Sequence, residues 1–142
     1  MQRRSRRFLD TNILLHYLTR DDEVKASACL DLLFRVEQGE EQIVTSPMII
    51  FETVFTLQRR YRQSRERVAE LILPIIQLRG LRLREKHIYE RALAIYASVG
   101  VSFADAFNAA YMEAQGISEI YSYDHDFDHL PNTTRLEPLY SS

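Results

Sequence analysis

Short strand-like runs alternate with longer helical ones along this chain, and that alternation limits its possible folds more than any other feature. "RRFLD" ends at Asp10, and "TNILLHYLT" follows with Ile13, Leu14, Tyr17 and Leu18 at helical spacing. The acidic "DDE" at 21–23 precedes the helical "VKASACLDLLFRVEQG", which Gly39 stops. "QIVTS" is a brief strand, after which Ser46 as cap and Pro47 in the first turn open a helix through "MIIFETVFTLQRRY". Ser64 caps "RERVAELILPIIQLRG", where Pro74 predicts a kink or break. "LRLRE" alternates as a strand, and residues 87–98 place Ile88, Ala92, Ile95 and Tyr96 on one helical face. Ser102 caps "FADAFNAAYMEAQG", which closes at Gly116, and "SEIYSYD" and "TRLEPL" read as the last strands. The pattern implies βαβ units, hence an α/β fold with a mostly parallel sheet flanked by helices. Ligands of such sheets bind beyond the carboxyl ends of the strands, where Asp10 and Asp124 fall.

A chain of 142 residues, 46% of them hydrophobic, is expected to form one domain with its own core. A net charge of −2 excludes a basic nucleic-acid coat, so the distribution of charge matters more than its sum. The single cysteine, Cys29, supports no disulfide framework, suits a reducing cytosol, and reads as a core residue. No apolar run is long enough to span a membrane, and the arginine-rich start lacks the apolar stretch of a signal peptide. A compact cytoplasmic domain is the expectation.

Four acidic positions invite two readings each. Asp10 ends an apolar strand; it is either the cap of the next helix or a strand-end ligand. Glu52 sits among Met48, Ile49 and Phe55, where an ionised carboxylate wants a partner; alternatively it faces solvent, although Thr53, Thr56 and Gln58 look better suited to that face. Asp105 follows Ser102 by three residues, as in a capping box, yet its neighbours Phe103, Ala104, Ala106 and Phe107 suggest close packing. Asp124 opens "DHDFDH", where a polar loop explains one or two aspartates better than three. Like charges so crowded need solvent, basic side chains or a metal to offset them. His125 and His129 read as loop surface, since alternating Asp and His is not zinc-site spacing. Four carboxylates able to converge on one sheet edge, without cysteine, favour a hard cation, Mg2+ or Mn2+.

Four segments, "FLDTNILLHYL" (8–18), "SPMIIFETVFTL" (46–57), "VSFADAFNAAYMEAQG" (101–116) and "IYSYDHDFDHLP" (120–131), together resemble the PIN domain, and more narrowly the VapC-type toxin ribonucleases. The resemblance implies a single PIN-like domain over residues 1–142, an α/β/α sandwich with a central, mostly parallel sheet. It implies Asp10, Glu52, Asp105 and Asp124 as catalytic metal-holding acids, with Thr11, Asn12 and Ser122 as supporting polar residues. Asp126 and Asp128 match acidic positions of that loop, and Asp126 is the further candidate ligand. "YSYD" stands where the family more often has Thr-Phe-Asp.

The implied activity is Mg2+- or Mn2+-dependent endonucleolytic cleavage of RNA, with a cognate antitoxin and a homodimer as implied partners. RNA needs a cationic approach surface, and Arg59, Arg60, Arg62, Arg65 and Arg67 form one dense run, while Arg3, Arg4, Arg6 and Arg7 form another. The alternative for the first run is solvated helix-end charge that complements the dipole. Two other functions fit the same residues: a non-catalytic PIN-like module that binds RNA or protein, and a PIN nuclease of RNA processing without an antitoxin. A haloacid-dehalogenase-type phosphatase is disfavoured because Asn12 stands where it needs a second aspartate.

Overall fold

In a computed structural model of the chain, which describes residues 6–139, every strand pairing is parallel. The expected mixed α/β architecture is therefore present, and the arginines Arg3 and Arg4 lie outside the described residues. The chain divides after Lys86 into two compact units.

The first unit contains β1 (Arg7–Phe8), α1 (Thr11–Thr19), α2 (Glu23–Glu37), β2 (Ile43–Val44), α3 (Pro47–Arg59), α4 (Arg65–Ile76) and β3 (Leu81–Arg82). The strands lie in chain order, with Arg7 opposite Ile43 and Ile43 opposite Leu81. Each strand has only two residues, so most apolar burial comes from the crossover helices. Helix α1 packs on α2 and α3, and α3 on α4. Leu14, Val36, Ile50, Val54, Leu57, Val68 and Ile72 are all at most 1% exposed. Complete burial of one such side chain stabilises the fold by about 1.5–3 kcal/mol.

Most of the helix signals act as their chemistry requires. Asp22 caps α2 by accepting from the Val24 and Lys25 amides, each at 3.1 Å. That bonding, led by the Lys25 amide, holds its carboxyl below the usual range. Gly39, just past the end of α2, takes the left-handed conformation (φ +76°) that the helix stop needs. Ser64 caps α4 through the Arg67 amide. Ser46, however, makes no side-chain cap; its carbonyl receives the Ile49 and Ile50 amides instead. Pro47 follows it, so one orphan amide of the first turn is missing anyway. Pro74 does not break α4, which runs on to Ile76. It lies exposed near the helix end, where a proline forfeits a single backbone bond.

The second unit contains α5 (Lys86–Ser98), α6 (Phe103–Gln115), β4 (Glu119–Tyr121), a 3₁₀ turn (His125–His129) and β5 (Thr134–Leu136). The expected face of α5 is buried: Ile88, Ala92, Ile95 and Tyr96 are at most 2% exposed. Tyr96 meets Phe103 edge-on at 5.7 Å, and Tyr89 lies 5.0 Å from Phe107, so aromatic contacts join α5 to the start of α6. Gly116 ends α6 at φ +70°. β5 pairs with β4 in register Ile120 to Arg135.

Cys29 is buried, as a core cysteine should be, and burial pushes its thiol pKa up, away from nucleophilic use. Among the described residues no helix is long and apolar enough to cross a membrane.

Gly80 is fixed by space. A Cβ there would meet the Glu41 carbonyl at 2.4 Å and the Val36 carbonyl at 2.5 Å, both backbone atoms. Gly80 also donates to Val36 O and accepts from Ile43 N, which joins α2, β2 and β3. Gly80→Ala is expected to lower stability by about 1–3 kcal/mol, seen as a lower urea midpoint with an unchanged slope. An unchanged midpoint would contradict this packing.

Candidate metal centre

Asp105, Asp124 and Asp126 come together in the second unit. One carboxylate oxygen from each lies within 4.8 Å of the others. Three local structures hold them. Ser102 caps α6 by accepting from the Asp105 amide at 3.1 Å, which sets Asp105 in the first helical turn. Ser122 Oγ accepts from the Asp124 amide at 3.0 Å. Asp124 Oδ1 accepts from the Asp126 amide at 2.9 Å, so Asp124 starts the 3₁₀ turn with one oxygen and leaves the other outside that bond. The structural readings of Ser102 and Asp124 are thus true of the backbone without using up the carboxylates.

Asp105 is half-buried, whereas Asp124 and Asp126 are exposed. Its carboxyl pKa is raised, first by desolvation and further by the negative charges of Asp124 and Asp126, against a hydrogen bond from Ser102 that lowers it. A cation at the three oxygens would reverse the like-charge part of that shift. The donor set, carboxylate oxygens only, matches hard Mg2+ or Mn2+ better than zinc. The fit is one of donor type and mutual proximity.

The third aspartate of the loop behaves differently. Asp128 Oδ1 receives Arg135 Nε at 3.1 Å, and Asp128 Oδ2 lies 3.0 Å from His125 Nδ1. The His125 bond first, then Arg135, keeps the Asp128 carboxyl below the usual range. The crowded charge of "DHDFDH" is therefore divided: an arginine offsets Asp128, while Asp124 and Asp126 face Asp105. His125 is 75% exposed at its side chain, as a loop-surface residue is.

Asp10 and Glu52 belong to the first unit. Asp10 occupies the cap position of α1 with extended backbone (φ −93°, ψ 160°), but its side chain makes no cap bond. The carboxylate is exposed and unused by the helix. Thr11, 5% exposed, donates its hydroxyl to Glu52 Oε2 at 3.0 Å, tying the start of α1 to the middle of α3. Asn12 is exposed on the first turn of α1.

The apolar-face expectation for Glu52 is corrected. Glu52 is exposed, and so are its neighbours Met48 (74%) and Phe55 (60%). The buried stripe of α3 is Ile49, Ile50, Thr53, Val54 and Leu57. Thr53, expected at the surface, is fully buried because its hydroxyl donates to the Ile49 carbonyl at 2.7 Å, leaving no polar group unpaired. Glu52 instead has a partner in Thr11.

Arg59 ends α3 with its guanidinium 5.3 Å from the Phe55 ring centre, and Arg60 lies 5.7 Å from that of Tyr61. Arg62 is exposed in the turn at φ +52°. The dipole account suits Arg59 and Arg60, at the last turn and C-cap of α3. Arg65 and Arg67 stand in the first turn of α4, where the helix end is itself positive. The residue that sequence reasoning missed is Arg135. Its signal was present: after Arg91 it is the only Lys or Arg in the chain.

A family model for the PIN domain matches residues 7–132. Among curated proteins, a "VapC ribonuclease" from Aquifex aeolicus (strain VF5) is 24% identical over 124 residues, which cover 87% of this chain and 91% of that protein.

The raised Asp105 pKa has a stability consequence in metal-free protein. Between the ordinary aspartate value of 3.8 and the raised one, the folded state binds more protons than the unfolded chain, so stability falls as pH rises through that window. Asp105→Asn is expected to match or exceed the wild-type urea midpoint at neutral pH and to show a flatter dependence on acid pH. A lower neutral-pH midpoint would mean that the carboxylate stabilises the fold.

Proposed function

The chain belongs to the PIN domain family, and from that premise we propose that it is a divalent-metal-dependent endoribonuclease, the toxin of a type II toxin–antitoxin pair. The observation that carries the reading is the Asp105–Asp124–Asp126 cluster, one carboxylate oxygen of each within 4.8 Å of the others, a donor set that supports Mg2+ or Mn2+. The likeness to a VapC ribonuclease over most of both chains supports RNA as substrate and an antitoxin as partner. A single PIN domain, acting as a cytoplasmic homodimer, completes the proposal.

Asp105, Asp124 and Asp126 would hold the metal. When bound, such an ion lowers the pKa of a coordinated water and neutralises charge on the phosphate. Asp10 and Glu52 enter through the family motif. Asp10 offers a carboxylate that its helix leaves uncapped. Thr11 donates to Glu52 Oε2 and fixes the side chain. Ser122, Ser102 and the 3₁₀ turn keep the aspartates oriented. Arg59, Arg60, Arg62 and Arg65 would approach the RNA backbone, for which arginine offers a bidentate fork.

The test is cleavage of a mixed RNA pool by purified protein with Mg2+ or Mn2+. EDTA is expected to abolish it, and Asp10→Asn or Asp105→Asn to reduce it by about 100-fold or more with the fold intact. Cleavage that survives EDTA, or a folded wild type inactive on total cellular RNA, would favour a PIN-like binding module instead.

A further inference from the structure

Arg135 lies beyond the residues that the family model matches, and it is the only Lys or Arg after Arg91. Its side chain is 11% exposed, which is unusual for a cation on a short strand. Its fork reaches both sides of the acidic turn. Nη1 donates to the Ser122 carbonyl at 2.9 Å, ahead of Asp124, while Nε donates to Asp128 at 3.1 Å, after Asp126. Nη2 lies 3.1 Å from His125 Nδ1, between the two aspartates. Glu137 accepts a second bond from Nη1, at 2.8 Å. The parallel pairing of β5 with β4 fixes where this fork stands, since Arg135 is opposite Ile120 and Ser122 N donates to Leu136 O.

We propose that Arg135 is a positioning residue for the metal centre: by bracketing the turn from Ser122 to Asp128 it sets where Asp124 and Asp126 stand relative to Asp105, and so sets cation affinity. This rests on the metal-centre reading above. The planar fork matters more than the charge. A guanidinium can bond a carbonyl on one side of the turn and a carboxylate on the other from one rigid plane, which an ammonium on a flexible stem cannot. Asp128, engaged by this fork, serves the clamp and leaves ligation to Asp124 and Asp126.

Two accounts of Arg135 predict opposite signs. As a mere positive charge near three carboxylates, it would repel a cation, and its loss would tighten metal binding. As a clamp, its loss weakens binding, because partners that orient ligands are worth about 10- to 100-fold in metal affinity. Arg135→Lys holds the charge constant and removes only the fork.

The experiment is a titration of the full chain with Mn2+ alone, read by the electron paramagnetic resonance signal of free Mn2+, with urea unfolding to compare folds. Wild type should bind Mn2+ and Asp124→Asn should not. Arg135→Lys and Arg135→Gln are each expected to raise the Kd about 10-fold or more. In RNA cleavage, the half-saturating Mn2+ concentration should rise by a similar factor, while the rate at saturating Mn2+ approaches that of wild type. Arg135 variants that bind Mn2+ as tightly as wild type, or more tightly, overturn the inference and leave the metal centre standing. A wild type that binds no Mn2+ overturns both. If Arg135→Gln does not fold, Arg135→Lys alone decides.

Discussion

Three carboxylate oxygens within 4.8 Å of one another are the constraint around which the second unit is arranged. Two unit charges about 4 Å apart repel by roughly 1 kcal/mol in water and roughly 4 kcal/mol at the effective dielectric of a protein surface. Asp124 and Asp126 are exposed, which keeps their repulsion towards the lower figure, while half-buried Asp105 bears the desolvation. Even the lower figure is appreciable against the marginal stability of a small domain. A flexible loop would relax away from it. Here the first turn of α6, the Ser122 hydroxyl, the 3₁₀ turn and the β4–β5 pair all oppose that relaxation.

The loop also shows how one sequence pattern can serve two purposes. Asp124, Asp126 and Asp128 alternate, but a 3₁₀ turn does not keep alternate residues on one side as a strand does. Asp128 consequently turns to Arg135 and His125, where its charge is offset by hydrogen bonds within the protein. The other two stand with Asp105, one oxygen of each within 4.8 Å of the others. In the first unit the same economy appears at Thr11, whose buried hydroxyl has one partner, Glu52, and holds it by a single bond.

Helix α3 explains why the surroundings of Glu52 were misjudged. Its sequence is apolar on nearly every side, so periodicity alone does not say which stripe is covered. The core takes Ile49, Ile50, Val54 and Leu57 together with Thr53, a polar residue that bonds its own helix. Met48 and Phe55 are left exposed beside Glu52. Of the caps expected from sequence, Ser64 and Ser102 accept amides of the following turn, whereas the side chains of Ser46 and Asp10 make no cap bond.

The order of strands and helices, the buried face of α5 and the left-handed ends at Gly39 and Gly116 followed from the sequence, since each depends on residues within a turn or two of one another. The acidic residues at a helix start and a strand end, Asp105 and Asp124, were equally legible. What the tertiary structure alone decided was the pairing of remote groups. It brought Asp105 to Asp124 and Asp126 while giving Asp128 to Arg135, and it joined Thr11 to Glu52 across 41 residues. It also placed Gly80 against the Val36 and Glu41 carbonyls, where no side chain fits. Such pairings depend on strand register and helix packing, and these balance burial over a whole unit; no local pattern of residues encodes that balance.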